Sequence, residues 1–121
     1  MVRTFVKSFQ FAFEGLAAVF MTQRNFRLQV FTGLAAAALA IFLDFSNIEW
    51  AILILTIALV LSFEMINTAI EVVVDLSTTE IHPKAKLAKD LSAAAVLINA
   101  IVALLVGMFI FIPHLLKFFK L

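Results

Sequence analysis

Five side chains in the middle of the chain could do chemistry: Glu64, Asn67, Thr68 and Glu71, at relative positions 0, 3, 4 and 7, with Asp75 four residues on. At 3.6 residues per turn all five fall on one helical face. The run around them is apolar, without charge from Trp50 to Phe63 and continuing past Glu64 and Glu71 to Val74 with no Pro or Gly. A carboxylate within a membrane helix costs roughly 2.5–3.5 kcal/mol on insertion scales, so such residues face protein or water and carry function. An interhelical hydrogen-bond clamp needs one or two polar residues, not three acids that repel each other. The cluster calls for cations, and Lys84, Lys86 and Lys89 follow just beyond it. A divalent metal could also sit between carboxylates at that level. Lysines and metal together are the equipment of phosphoryl transfer, in which a protein neutralises phosphates, aligns the acceptor and offers a base to its hydroxyl. A Glu in a dry setting suits the last role. Ion or proton transport is the other chemistry that intramembrane acids mark. It leaves the lysines idle, and it expects acids on more than one helix, whereas the last span offers only Asn99.

The elements that must position these groups belong to lipid. Of 121 residues, 64% are hydrophobic and 14% charged, and the mean hydropathy is +1.14; soluble domains are about 45–50% apolar and about 25% charged. A domain this small cannot bury that surplus. A net charge of +1 argues against a broad nucleic-acid-binding field, so nucleic acid is not expected as a partner. Zero Cys excludes disulfides and thiolate zinc sites. Three scattered glycines cannot build a Walker-type loop or a dinucleotide fingerprint.

The reading is all-α integral membrane, one domain over residues 1–121. Spans are expected at about 26–43, 50–74 and 86–112. The uncharged stretch Leu28–Leu43 is short for a crossing at 16 residues, so the helix begins within Asn25-Phe26-Arg27, where an Arg can snorkel. Leu91–Pro113 holds 23 residues with no charge, longer than a hydrocarbon core of about 30 Å requires. Before the spans, Phe5, Phe9, Ala12, Phe13, Leu16 and Phe20 recur at spacings of three and four, while Arg3, Lys7, Gln10 and Glu14 lie off that stripe. This predicts an amphipathic helix over about 2–22 lying on the membrane surface. It lacks the short apolar core and cleavage site of a signal peptide, and is expected to be retained. Arg3, Lys7, Arg24 and Arg27 precede the first span and Lys84, Lys86 and Lys89 fill the second connection. Both regions are therefore expected in the cytoplasm.

The string from Glu64 to Asp75, Glu-Met-Ile-Asn-Thr-Ala-Ile-Glu-Val-Val-Val-Asp, resembles the signature of the prokaryotic diacylglycerol kinase family. The following His82-Pro83-Lys84-Ala85-Lys86-Leu87-Ala88-Lys89-Asp90 and Ala93-Ala94-Ala95-Val96-Leu97-Ile98 resemble its Gram-positive branch, whose members phosphorylate undecaprenol rather than mainly diacylglycerol. Gly15 and Arg24-Asn25-Phe26-Arg27 also fit, so the resemblance runs from Ser8 to about Pro113. It implies a homotrimer in the bacterial cytoplasmic membrane with active sites shared between subunits on the cytoplasmic side. ATP would be co-substrate, Mg²⁺ the cofactor and a membrane lipid alcohol the acceptor. By position, Glu64 would be the general base and Glu71 a magnesium ligand. Asn67 would orient the phosphates or the base, Glu80, His82, Lys89 and Asp90 would contact ATP, and Asp75 would support the nucleotide end. Asn25 and Arg27 would sit at the lipid-substrate mouth. The family usually places a Glu before its Arg-Asn-Phe-Arg stretch as a second metal carboxylate, and here that position is Gln23, which offers oxygen without charge. That departure keeps open a catalytically weakened member acting as a membrane scaffold. A small cation or proton carrier is the alternative from the residues alone.

Overall fold

A computed structural model describes residues 2–121, with side chains from Thr4 onward; Met1 and the side chain of Arg3, one of the basic residues used above for orientation, lie outside the described residues. Four helices follow in order: α1 Val2–Thr22, α2 Arg24–Phe42, α3 Asn47–Ser77 and α4 Pro83–Phe118. The last three are long and apolar enough to cross a membrane. At about 1.5 Å per residue their 19, 31 and 36 residues extend about 28, 46 and 54 Å. α3 and α4 therefore outreach the hydrocarbon and carry their ends into the aqueous layers. α2 gains the length that Leu28–Leu43 lacks by starting at Arg24. α4 runs through Pro113 to Phe118, six residues beyond the expected end of that span at 112, because a single proline removes one N–H without stopping a helix already held by its neighbours.

Local chemistry sets the corners. The α2–α3 turn passes through Asp44 at φ 57, a left-handed conformation that Asp tolerates better than most residues. Ser46 then caps α3: its hydroxyl accepts from Glu49 N at 3.3 Å while Glu49 Oε2 accepts from Ser46 N at 2.8 Å. Pro83 opens α4 with His82 as its cap, Nδ1 accepting from Lys84 N at 3.1 Å. The break between α1 and α2 at Gln23 is secured by Arg27, which donates to Phe20 O at 2.7 Å and Met21 O at 3.1 Å. These are carbonyls that a helix terminus leaves unmet.

Packing concentrates at the α2–α3 turn, where Ala40, Leu43, Phe45, Leu53 and Ile110 are buried together. There Phe45 stacks on His114 with ring centroids 4.9 Å apart, and His114 Nε2 lies 2.9 Å from Glu49 Oε1. The Ser46 backbone N–H, and after it His114, hold the Glu49 carboxyl below the usual carboxylate range. Further along, Gly33 lets α2 and α3 close up, since a Cβ there would meet Ile57 Cγ2 at 3.1 Å. Elsewhere large apolar side chains such as Leu97, Leu104 and Phe109 are exposed, as helices immersed in lipid require.

Candidate active site

The polar face of α3 is built in three tiers at the end away from the α2–α3 turn. In the deepest, Glu64 is only 4% exposed. Gln29 on α2 donates from Nε2 to Glu64 Oε2 at 3.0 Å. Thr68, grouped with the acids by spacing, spends its hydroxyl on Glu64 O at 3.0 Å. It supports the helix backbone and does not add a ligand.

The middle tier joins α3 to α4. Asn67 Oδ1 lies 2.6 Å from Ser92 Oγ, a hydroxyl also 3.0 Å from Lys89 O. Asn67 Nδ2 donates to Glu71 Oε1 at 3.4 Å. The amide is thus fixed by a buried serine and turns its donor toward the carboxylate. At the outer tier, Asp75 Oδ1 and Lys89 Nζ form an ion pair at 2.5 Å. Lys86 pairs with Asp90 one turn along α4, also at 2.5 Å. A hollow of about 300 Å³ opens here, lined among others by Asp75, Glu80, His82, Lys86, Lys89 and Asp90. Glu80 is exposed, its backbone N–H bonded to Thr78 Oγ1 at 3.1 Å.

Five of the candidate nucleotide residues, Asp75, Glu80, His82, Lys89 and Asp90, therefore share one hollow, with Asn67 and Glu71 between it and Glu64. Asn25 and Arg27 are not brought to that face. Asn25 is exposed and Arg27 is committed to the carbonyls ending α1. Gln23 precedes α2 with no side-chain cap bond. Among the described residues no three of His, Cys, Asp and Glu cluster as a ready-made metal cage. Glu71, the expected magnesium ligand, has Asn67 Nδ2 as its bonded neighbour; Mg²⁺ keeps waters and leans on substrate phosphates, so a single carboxylate fits it without an all-protein shell.

Sequence reasoning missed Gln29 and Ser92, the two side chains from other helices that fix Glu64 and Asn67. The available signal was an amide at position 29 within the uncharged run Leu28–Leu43 and a hydroxyl at position 92 within Leu91–Pro113. The Glu49–His114 contact was also missed, at the opposite end.

Comparison with known proteins adds to this geometry. The family model described as prokaryotic diacylglycerol kinase matches residues 10–111. The chain is 46% identical over 111 residues to a diacylglycerol kinase of Synechocystis sp., covering 91% of this chain and 63% of that protein. It is 40% identical over 111 residues to the undecaprenol kinase of Bacillus subtilis, covering 92% and 90%. It is 37% identical over 100 residues to the diacylglycerol kinase of Escherichia coli K12, covering 83% and 82%. The chain thus spans less than two thirds of the Synechocystis relative and most of the other two.

Proposed function

The chain belongs to the prokaryotic diacylglycerol kinase family, and from that premise we propose that it is an ATP-dependent membrane lipid kinase. It transfers the γ-phosphoryl of ATP to a lipid alcohol, with undecaprenol preferred over diacylglycerol. The observation that carries this reading is Glu64: a carboxylate 4% exposed at membrane depth, on the same helix face as a cation-bearing hollow at the aqueous end. No bulk water is needed at such a site, and none is wanted, because water would compete with the alcohol for the phosphoryl group.

In the proposed reaction the lipid hydroxyl oxygen forms the new bond to the γ-phosphorus as the bond to the β–γ bridging oxygen breaks, and ADP leaves with that oxygen. The hydroxyl proton passes to the Glu64 carboxylate and from there to water. Lys89 must exchange Asp75 for a nucleotide phosphate when ATP enters, since its ammonium is already paired. Asp75 then accepts from the nucleotide end or stands as counter-charge. Asn67, held by Ser92, keeps its donor near the transferring group. Glu80, His82 and Asp90 complete the nucleotide contacts. Mg²⁺, brought with ATP, would be held by Glu71 with the neutral oxygen of Gln23, and supplies neutralisation of the phosphate charge.

A single protomer covers only part of this face, so a homotrimer with shared sites is proposed, forming one domain over residues 1–121. α1 would lie on the cytoplasmic surface of the bacterial cytoplasmic membrane with the hollow on the same side, and Asn25 and Arg27 at the lipid mouth. The undecaprenol preference is supported by the Bacillus subtilis relative's name and by the His82–Asp90 string. The test is competition: equal undecaprenol and diacylglycerol in mixed micelles with labelled ATP. Label mainly in undecaprenyl phosphate is expected, and label mainly in phosphatidic acid overturns the preference.

A further inference from the structure

We propose that Gln29 is a positioning residue for the transfer: its amide holds one oxygen of Glu64 and so presents the other to the acceptor hydroxyl. The inference rests on the reading of Glu64 as the base. The bond from Gln29 Nε2 to Glu64 Oε2, at 3.0 Å, links α2 to α3 across 35 residues of sequence. The two helices come close at Gly33, one turn beyond Gln29, where an added Cβ would meet Ile57 Cγ2 at 3.1 Å. Among the described residues Glu64 Oε1 takes no hydrogen bond. One oxygen is tied and one is free.

The amide is there for that contact. Gln29 Oε1 is buried with no donor, and an unmet buried acceptor is a penalty that packing alone would remove by placing a Leu there. Within the protomer, the bond from its donor side to Glu64 is the one that fixes the amide. The cations on the neighbouring elements are occupied elsewhere, Arg27 with the carbonyls ending α1 and Lys89 with Asp75. On α3 itself the nearest acid, Glu71, is two turns away and bonded to Asn67. A neutral amide orients the carboxylate without cancelling its charge, which a Lys or Arg at position 29 would do. An ordinary interhelical clamp has the same bond but no dependence on what Glu64 does chemically.

The test is Gln29→Met, of similar length and without a donor, assayed for steady-state transfer from Mg-ATP to lipid in mixed micelles, alone and combined with Glu64→Gln. The expected result is a kcat lower by about tenfold to a hundredfold, KM for ATP and lipid within about twofold, and no further loss in the Glu64→Gln background. An unchanged kcat, an equal fold loss in that background, or failure of Gln29→Met to assemble each overturns the proposal, the last two by making Gln29 a structural clamp. Should Glu64→Gln itself stay active, the base reading fails and this inference with it. Should Glu64→Gln be inactive and Gln29→Met fully active, only the positioning role fails.

Discussion

Replacing Glu64 by Gln isolates the proposed base from everything else the residue does. The side chain keeps its length in a site only 4% exposed, so no cavity forms. The amide oxygen introduced there can still accept from Gln29 Nε2, which now bonds Glu64 Oε2 at 3.0 Å. What disappears is a proton acceptor and a charge at membrane depth. A positioned general base contributes about 10²–10⁴ in rate, equivalent to about 3–5 kcal/mol of barrier. Removing an intramembrane carboxylate is favourable for insertion, so the variant should assemble as well as the wild type, with an equal or higher melting temperature in detergent. Loss of rate and loss of fold are thereby separated. Transfer of label from γ-labelled ATP to lipid is measured at saturating ATP, lipid and Mg²⁺. A Glu64→Gln rate above a tenth of wild type refutes the argument, because a base worth about a hundredfold or more cannot then stand at position 64.

Mixing inactive Glu64→Gln and Lys89→Ala protomers should restore part of the activity if each site draws on two subunits; no restoration in a native-like bilayer means that one chain builds the whole site. Gln23→Glu should lower the Mg²⁺ concentration for half-maximal activity if position 23 reaches the ion, with coincident titration curves placing it outside the metal shell. The Glu49 carboxyl is held below its ordinary range by the Ser46 N–H and His114. A depressed carboxylate contributes stability above its unfolded value and loses it as pH falls through the folded value, so melting temperature should drop below about pH 4. Glu49→Gln should flatten that acid drop, and an identical drop would refute the assignment.

The all-helical architecture was legible because hydrophobic runs and their 3.6-residue period are properties of each segment alone. The face shared by Glu64, Asn67, Glu71 and Asp75 was legible for the same reason. Gln29 and Ser92 were not, since their partners lie 35 and 25 residues away in sequence. Which side of α2 or α4 meets α3 depends on packing at places such as Gly33 against Ile57. Thr68 shows the converse limit. Periodicity puts it on the functional face, yet a hydroxyl four residues after a carbonyl bonds that carbonyl first. The resemblance in the residues named the chemistry; the helix register supplied the side chains that hold it in place.

Because α3 is unbroken from Asn47 to Ser77, it works as a ruler. Glu64 and Asp75 are eleven residues apart on it, which sets them about 16 Å apart along the axis. In the proposed reaction, the depth at which an alcohol presents its hydroxyl, relative to the nucleotide, would therefore be set by a rise per residue and not by a loop that can adjust. One residue inserted between them would swing Asp75 about 100° around the rod, away from Lys89, while four would return it near the same face but about 6 Å too far. On that proposal, acceptors of quite different tail length would be served by such a device without any change in it, provided that their hydroxyls come to the same level in the membrane.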